Sequence, residues 1–168
     1  PPGAGKSTLV NRYLAEVRSR GRSVAALLID PSSPKSGGAL LGDRVRMGNH
    51  SLDPEVFIRS ISARGQLGGL SRSIKLSVQA VKIAGVDEVV IETVGTGQSE
   101  IAIAAVADVT IVVWVPGLGD EVQALKAGVL EIGDVIVVNK ADLPDAATTA
   151  RQMEAMLALS GRGDCVRV

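Results

Sequence analysis

Cysteine and histidine each occur once in this chain, at Cys165 and His50, and the aromatic residues amount to one tryptophan, one tyrosine and one phenylalanine. A single cysteine excludes an internal disulfide and suits a reducing compartment. With one histidine and no His/Cys cluster, a zinc site has no ligand set, and the two residues read as a surface histidine and a buried cysteine. An excess of charge of one sign is also lacking. Eighteen basic residues stand against eighteen acidic ones, so no global field draws the chain to nucleic acid or to an anionic membrane, and any affinity for phosphate must be local. No apolar run reaches the roughly 18 to 20 residues of a membrane span. What is present, 46% hydrophobic and 21% charged residues over a length of 168, is ordinary usage for one α/β domain of the soluble, cytoplasmic kind.

The first residues carry the strongest signal. Pro1 to Thr8 read PPGAGKST, which is all but the first residue of the phosphate-binding loop G-x-x-x-x-G-K-[ST]. Gly3 and Gly5 allow successive backbone N–H groups, with that of Ala4 between them, to close around a phosphate without Cβ interference. Lys6 reaches the β and γ phosphates, and Ser7 offers its hydroxyl to Mg²⁺, with Thr8 beside it. A helix from about Thr8 to Ser19 points its positive end at the same anion. In the complete motif a glycine and a buried strand precede Pro1. The chain therefore reads as the G domain, residues 1–168, of a longer protein, lacking that strand and glycine.

Apolar runs separated by helical patterns follow. Ser23–Asp30, Val56–Ser60, Asp87–Thr93, Val109–Val115 and Val135–Val138 read as strands. Leu41–Met47, Leu70–Ala84, Ser99–Val106, Glu121–Ile132 and Asp145–Leu159 read as helices, and Pro31–Gly38 and Ile61–Gly69 as loops. Continuous apolar strands alternating with helices predict a mostly parallel sheet with helices on both faces, the architecture of a P-loop NTPase. Ligands of such sheets lie beyond the carboxyl ends of the strands. Asp30, Glu92, Pro116 and Asn139 each follow an apolar run.

Asn139, Lys140, Ala141 and Asp142 form N-K-x-D, which selects the base. A carboxylate at Asp142 accepts from both guanine N1–H and the exocyclic amine, a donor pair that adenine lacks, while Asn139 touches the base edge and Lys140 lays its stem along the ring. Glu92-Thr93-Val94-Gly95 resembles a strand-end acid and glycine that sense the γ-phosphate, Glu92 through Mg²⁺ and Gly95 through its N–H. Loss of that bond on hydrolysis makes Thr96–Glu100 a switch segment. Gln98 either orients the attacking water or is a mobile polar side chain. Asp30 and Asp43 are further Mg²⁺ candidates, Asp43 reading equally as a surface helix acid.

Taken in order, Asp30-Pro31-Ser32-Ser33, the stretch Gly37 to Met47, Phe57-Ile58-Arg59-Ser60, Leu67-Gly68-Gly69-Leu70, ETVGTGQSE, Pro116 to Gln123 and NKAD resemble the MeaB/ArgK family. The resemblance runs from the first residue to about Leu159. It implies a bacterial GTPase of the signal-recognition and metallochaperone-like class that binds GTP with Mg²⁺ and chaperones cobalamin-dependent methylmalonyl-CoA mutase or a related acyl-CoA mutase. It would gate cobalamin loading and protect that enzyme. By position it implies Lys6 and Ser7 as phosphate and Mg²⁺ ligands, Asp30, Asp43 and Glu92 as acidic Mg²⁺ and switch residues, and Asn139, Lys140 and Asp142 as the guanine reader. Gly117–Lys126 matches an additional switch loop, where Glu121 and Lys126 are either couplers to the mutase or an exposed charge pair. Family members carry a C-terminal region used for dimerisation, which implies a homodimer for the intact protein. Neither nucleic acid nor membrane is an expected partner.

Three other readings compete. An ATP-dependent kinase serving lysine/arginine/ornithine transport is disfavoured by N-K-x-D. The second is a binding module whose hydrolysis is incidental, and the third a G domain fused within a mutase. No cobalamin-binding D-x-H-x-x-G stretch is present in the chain.

Overall fold

The computed structural model describes residues 3–30, 48–50, 52–62, 67–93, 99–117 and 132–159. These fall into two compact units, one spanning Lys6–Val106 and the other combining Pro1–Gly5 with Ala107–Val168. The helices expected at Leu41–Met47 and, except for its last residue, at Glu121–Ile132, the loop at Pro31–Gly38, and Cys165 lie outside the described residues.

The larger unit is organised around β1 (Val24–Asp30), which pairs in parallel with β2 (Val56–Ser62) on one side and β3 (Glu88–Glu92) on the other. The register sets Ala26 against both Ile58 and Val90, and Leu28 against both Ser60 and Glu92. A central parallel strand is covered on both faces, which is why VAALLID is apolar at every position but its last. Alternate side chains point to opposite faces. Val24, Ala26 and Leu28 pack against Leu14 and Val17 of α1 (Lys6–Ser19), with Val56, Ile58 and Val90 alongside. Ile29 faces the other way, into a cluster with Leu70 and Ile74 of α2 (Leu67–Ile83) and Ile103 of α3 (Ser99–Ala104), joined by Ile61 and Ile91. Helices thus cover both faces of the three-stranded sheet.

α1 stops at a backbone device. Gly21 takes φ +71°, its N–H bonds Arg18 O at 3.0 Å, and Arg22 N–H bonds Val17 O at 3.3 Å. This is the six-to-one and five-to-two pairing that satisfies a helix's last carbonyls, and only a residue without Cβ takes that φ without strain. α2 closes with the same bonds at Gly85 and Val86.

Polar links tie the amino ends of the strands. Asp87 accepts from Ser23 N and Oγ, both at 2.8 Å, while Asp87 N donates to Ser23 Oγ at 3.0 Å. Arg18 Nε donates to Asp53 Oδ2 at 2.9 Å, and Glu88 takes both the Tyr13 hydroxyl and the Arg22 guanidinium. The Ser23 backbone N–H holds Asp87 below the usual carboxylate range, and the Arg18 hydrogen bond does the same for Asp53. A depressed folded-state pKa means these links stabilise above the ordinary carboxylate range and fade as pH falls through the folded value.

The smaller unit contains β4 (Ile111–Trp114) paired in parallel with β5 (Val135–Val138), Trp114 lying opposite Val138. α4 (Ala146–Leu159) covers this pair, placing Met153 and Leu157 against Trp114 and Ile136. Asp134 anchors the start of β5 by accepting from Thr110 N at 2.8 Å, while Asp134 N and Val135 N donate to Thr110 O.

Several boundaries depart from expectation. β2 continues through Ile61 and Ser62, and α2 opens at Leu67, where a loop over Ile61–Gly69 is expected from sequence. Ile61 is held by its partner Ile29 and by the shared cluster, and α2 tolerates Gly68 and Gly69 because burial of Leu70 and Ile74 outweighs local propensity. α1 begins at Lys6 rather than Thr8, and β4 is shorter than Val109–Val115, with Val109 59% exposed. Among the described residues no helix is long and apolar enough to cross a membrane.

Leu14 is 0% exposed at the centre of the α1 contact. In the full-length protein Leu14→Ala is expected to cost about 2–5 kcal/mol, read as a lowered urea midpoint, whereas Glu16→Ala on the exposed face of the same helix should leave the midpoint nearly unchanged.

Candidate functional site

In the larger unit the carboxyl end of β3 and the amino end of α1 bring three motif residues together. Ser7 Oγ donates to Glu92 Oε1 at 2.6 Å across 85 residues of chain. Lys6, the first residue of α1, is half-buried. Burial pulls its amine below the usual lysine range, and the negative charges of Glu92 and Glu100 oppose that pull. Loss of water disfavours the ammonium by more than the two glutamates restore.

Glu100 is a residue that the sequence reading left among the switch residues without a role. It lies in the first turn of α3, and both its carboxylate oxygens are shut off from solvent with no hydrogen-bond partner among the described residues. Its only signal in the sequence is its place at the end of ETVGTGQSE, where an acid in a helix's first turn is unremarkable.

The smaller unit holds the Gly3–Gly5 turn and the N-K-x-D segment. Asn139 extends the β4–β5 ladder by donating its N–H to Trp114 O at 2.8 Å, and its side-chain Nδ2 donates to Ala4 O at 2.8 Å. Ala4 is fully buried, so its carbonyl has no water to turn to. Gly5 takes φ +86°, and a Cβ built there would lie 2.4 Å from Asn139 Nδ2. The glycine is thus required twice, by backbone conformation and by the close approach of the asparagine amide. Asn139 acts here as a strut for the phosphate-loop turn, a task that reading it only as a base contact does not assign. Lys140 adopts φ +58°, the left-handed region that few non-glycine residues enter, and Lys140 and Asp142 are exposed in the turn leading to α4.

The other expected site residues are placed less fully. Asp30 ends β1 opposite Ser62. Thr8 is exposed in the first turn of α1. Asp43, Gly95 and Gln98 lie outside the described residues, as do Glu121 and Lys126.

Among the described residues, no group of three or more His, Cys, Asp or Glu side chains gathers to hold a metal by itself. The Ser7 hydroxyl and Glu92 carboxylate are instead two adjacent hard oxygen donors, and Glu100 offers two more acceptors without partners. This set fits a small divalent cation that arrives on phosphates and keeps several of its waters, and does not fit an ion caged by protein alone.

The sequence profile of the family described as Methylmalonyl Co-A mutase-associated GTPase MeaB matches residues 1–164. A protein of Pyrococcus abyssi named provisionally as a GTPase is 50% identical over 159 residues, covering 95% of this chain and 49% of its own length. GTPase ArgK of Escherichia coli is 41% identical over 141 residues, 84% of this chain and 43% of that protein. The mitochondrial methylmalonic aciduria type A homolog of Mus musculus is 40% identical over 155 residues, covering 92% and 37% respectively. The chain spans about half the length of these relatives or less. In three dimensions it is similar to the crystal structure of hydrogenase maturation factor HypB from Archaeoglobus fulgidus, with a TM-score of 0.66 at 18% identity over 99% of this chain and 76% of that one. At that identity the likeness shows the fold, the α/β P-loop class expected from the sequence.

The strut makes a separable prediction. Asn139→Ala leaves the buried Ala4 carbonyl unsatisfied and should lower the stability of nucleotide-free full-length protein by about 1–3 kcal/mol. Chemical denaturation without nucleotide checks it, since a residue serving only the base would leave that midpoint unmoved.

Proposed function

The chain belongs to the MeaB family of methylmalonyl-CoA mutase-associated GTPases, and from that premise we propose that it is the G domain of a protein that binds GTP with Mg²⁺ and hydrolyses it to GDP and phosphate. Its client is a cobalamin-dependent acyl-CoA mutase, methylmalonyl-CoA mutase above all, whose cobalamin loading it gates and whose active form it protects. The observation that carries the nucleotide reading is the Ser7–Glu92 hydrogen bond beside the partly desolvated Lys6. A hydroxyl, a carboxylate and a cation in that arrangement support the reading, because phosphate-loop proteins handle phosphates and their metal with the same set of groups. The family name and the name of the mouse relative support the mutase as client.

In this reading the backbone N–H groups of Gly3, Ala4 and Gly5 cradle the phosphates, with Lys6 on the β and γ oxygens and Thr8 beside Ser7 at the helix start. Ser7 and Glu92, with Asp30 and Asp43, would hold the metal, and Mg²⁺ bound there would offset charge on the phosphate oxygens. Water attacks the γ-phosphate in line, Gln98 orienting it and Gly95 sensing the group it attacks, while Lys6 stabilises the charge that develops. Asp142 accepts from the guanine donors, Lys140 packs along the ring, and the Asn139 amide, with one N–H on the Ala4 carbonyl of the phosphate loop, offers its second N–H to the acceptors of the remaining base edge. None of these residues is a strong general base, so the mutase completes the catalytic site. The intact protein works in the bacterial cytoplasm as a homodimer, with neither nucleic acid nor membrane as partner.

Phosphate release by the full-length protein tests the proposal. Turnover should be selective for GTP over ATP and should rise when a cobalamin-dependent acyl-CoA mutase is added; ATP-selective turnover indifferent to mutase would overturn it. Asp142→Asn should shift preference toward xanthosine triphosphate, because xanthine carries a carbonyl acceptor where guanine has its amine and the new amide donates to it. Competition binding of the two triphosphates reads that shift, and unchanged selectivity rejects Asp142 as the base reader.

A further inference from the structure

Glu100 is the least satisfied acid among the described residues. Both its oxygens are removed from water and neither has a hydrogen-bond partner there. Leaving a carboxylate in that condition is costly, because desolvation of the charge is not offset by any donor. Other acids of this unit are treated differently. Asp87 takes two donors from Ser23, Asp53 takes Arg18 and the Glu55 N–H, and Glu92 takes the Ser7 hydroxyl.

The side chain is not held by hydrogen bonds of its own, so something else fixes it. α3 is anchored by Ile103, 6% exposed in the cluster with Ile29, Leu70 and Ile74. Glu100, three residues earlier, is carried inward by that anchor. Ile103 packs with Ile29 and Ile91, the residues that precede Asp30 and Glu92 at the carboxyl ends of β1 and β3, and the charge of Glu100, like that of Glu92, acts on the Lys6 amine. The unpartnered acceptors therefore lie at the end of the sheet that carries Lys6, Ser7 and Glu92.

We propose that Glu100 is a positioning residue for the hydrated divalent cation that accompanies the nucleotide phosphates, its two oxygens accepting hydrogen bonds from that ion's water shell. The chemistry suits the group. Mg²⁺ bound to phosphates sheds water reluctantly and keeps several aqua ligands, each of which is a strong donor beside the metal charge. An outer carboxylate that receives those donors orients the shell and raises affinity for the ion without touching it. The inference rests on the nucleotide reading above.

The test uses the full-length protein, a fluorescent GDP analogue as probe and Mg²⁺ itself as the variable. Glu100→Gln is expected to raise the Mg²⁺ concentration needed for half-maximal tightening of GDP binding by about 10- to 100-fold, whatever gain in EDTA affinity follows from removing a negative charge near Lys6. Glu100→Asp, which keeps the charge on a shorter stem, should fall between. Wild-type Mg²⁺ dependence in both variants overturns the proposal, and tighter GDP binding in EDTA with unchanged Mg²⁺ dependence would make Glu100 only a counter-charge to Lys6. Failure of both variants to fold without nucleotide also overturns it, because a role toward the ion's water shell does not require the carboxylate in the nucleotide-free fold. If wild-type protein binds no GDP with Mg²⁺ present, the nucleotide reading itself falls, a result separable from any behaviour of the variants.

Discussion

Burial of β1 on both faces and along both edges is the constraint on which the larger unit depends. Val24 to Leu27 are completely inaccessible, so β1 cannot shift against β2 or β3 without turning apolar side chains off the clusters that receive them. That fixed register carries β3 out to Glu92, and the packing of Leu14 and Val17 on the same strand fixes the axis of α1. Ser7 and Glu92 meet at 2.6 Å because both are extensions of one immobile core. Precision at the site is inherited from apolar packing rather than made by the polar residues themselves.

The two ends of this sheet are electrostatically unlike. At the amino ends, Ser23, Asp87, Arg18 and Asp53 pair with each other, and the Glu88 carboxylate takes two donors. At the carboxyl ends, Lys6 is partly desolvated and Glu100 has no hydrogen-bond donor among the described residues. Satisfied groups stabilise the fold, whereas a buried carboxylate without a donor leaves free energy that an incoming ligand can release. Such imbalance concentrates where ligands bind in open α/β sheets. The phosphate-loop turn adds a third element in the smaller unit, where the Asn139 amide holds the Ala4 carbonyl and admits only glycine at position 5. One asparagine thereby links the N-K-x-D segment to the Gly3–Gly5 turn, within a single compact unit.

Much of this was legible in the residues. The phosphate-loop pattern, the apolar runs of β1, β3 and β5, and N-K-x-D are local features with local causes: glycine for backbone conformation, continuous burial for parallel strands, a carboxylate for paired donors. The resemblance to the MeaB family rests on such motifs and matches residues 1–164. Local pattern failed where long-range packing decided. Ile61 extends β2 through its pairing with Ile29, and α2 begins at Leu67 despite two glycines because Leu70 and Ile74 are buried beyond them.

The sequence by itself determined which chemistry the chain carries, since a glycine-rich turn, a lysine and a strand-end acid have their properties wherever they are placed. Only the tertiary structure decided which of those groups would be satisfied. Ser7 gained Glu92 from 85 residues away, Asn139 gained Ala4 from 135 residues away, and Glu100 gained no hydrogen-bond donor among the described residues. A hydrogen bond's worth depends on burial and on the partner's position, and both are properties of the packed core rather than of the chain's order.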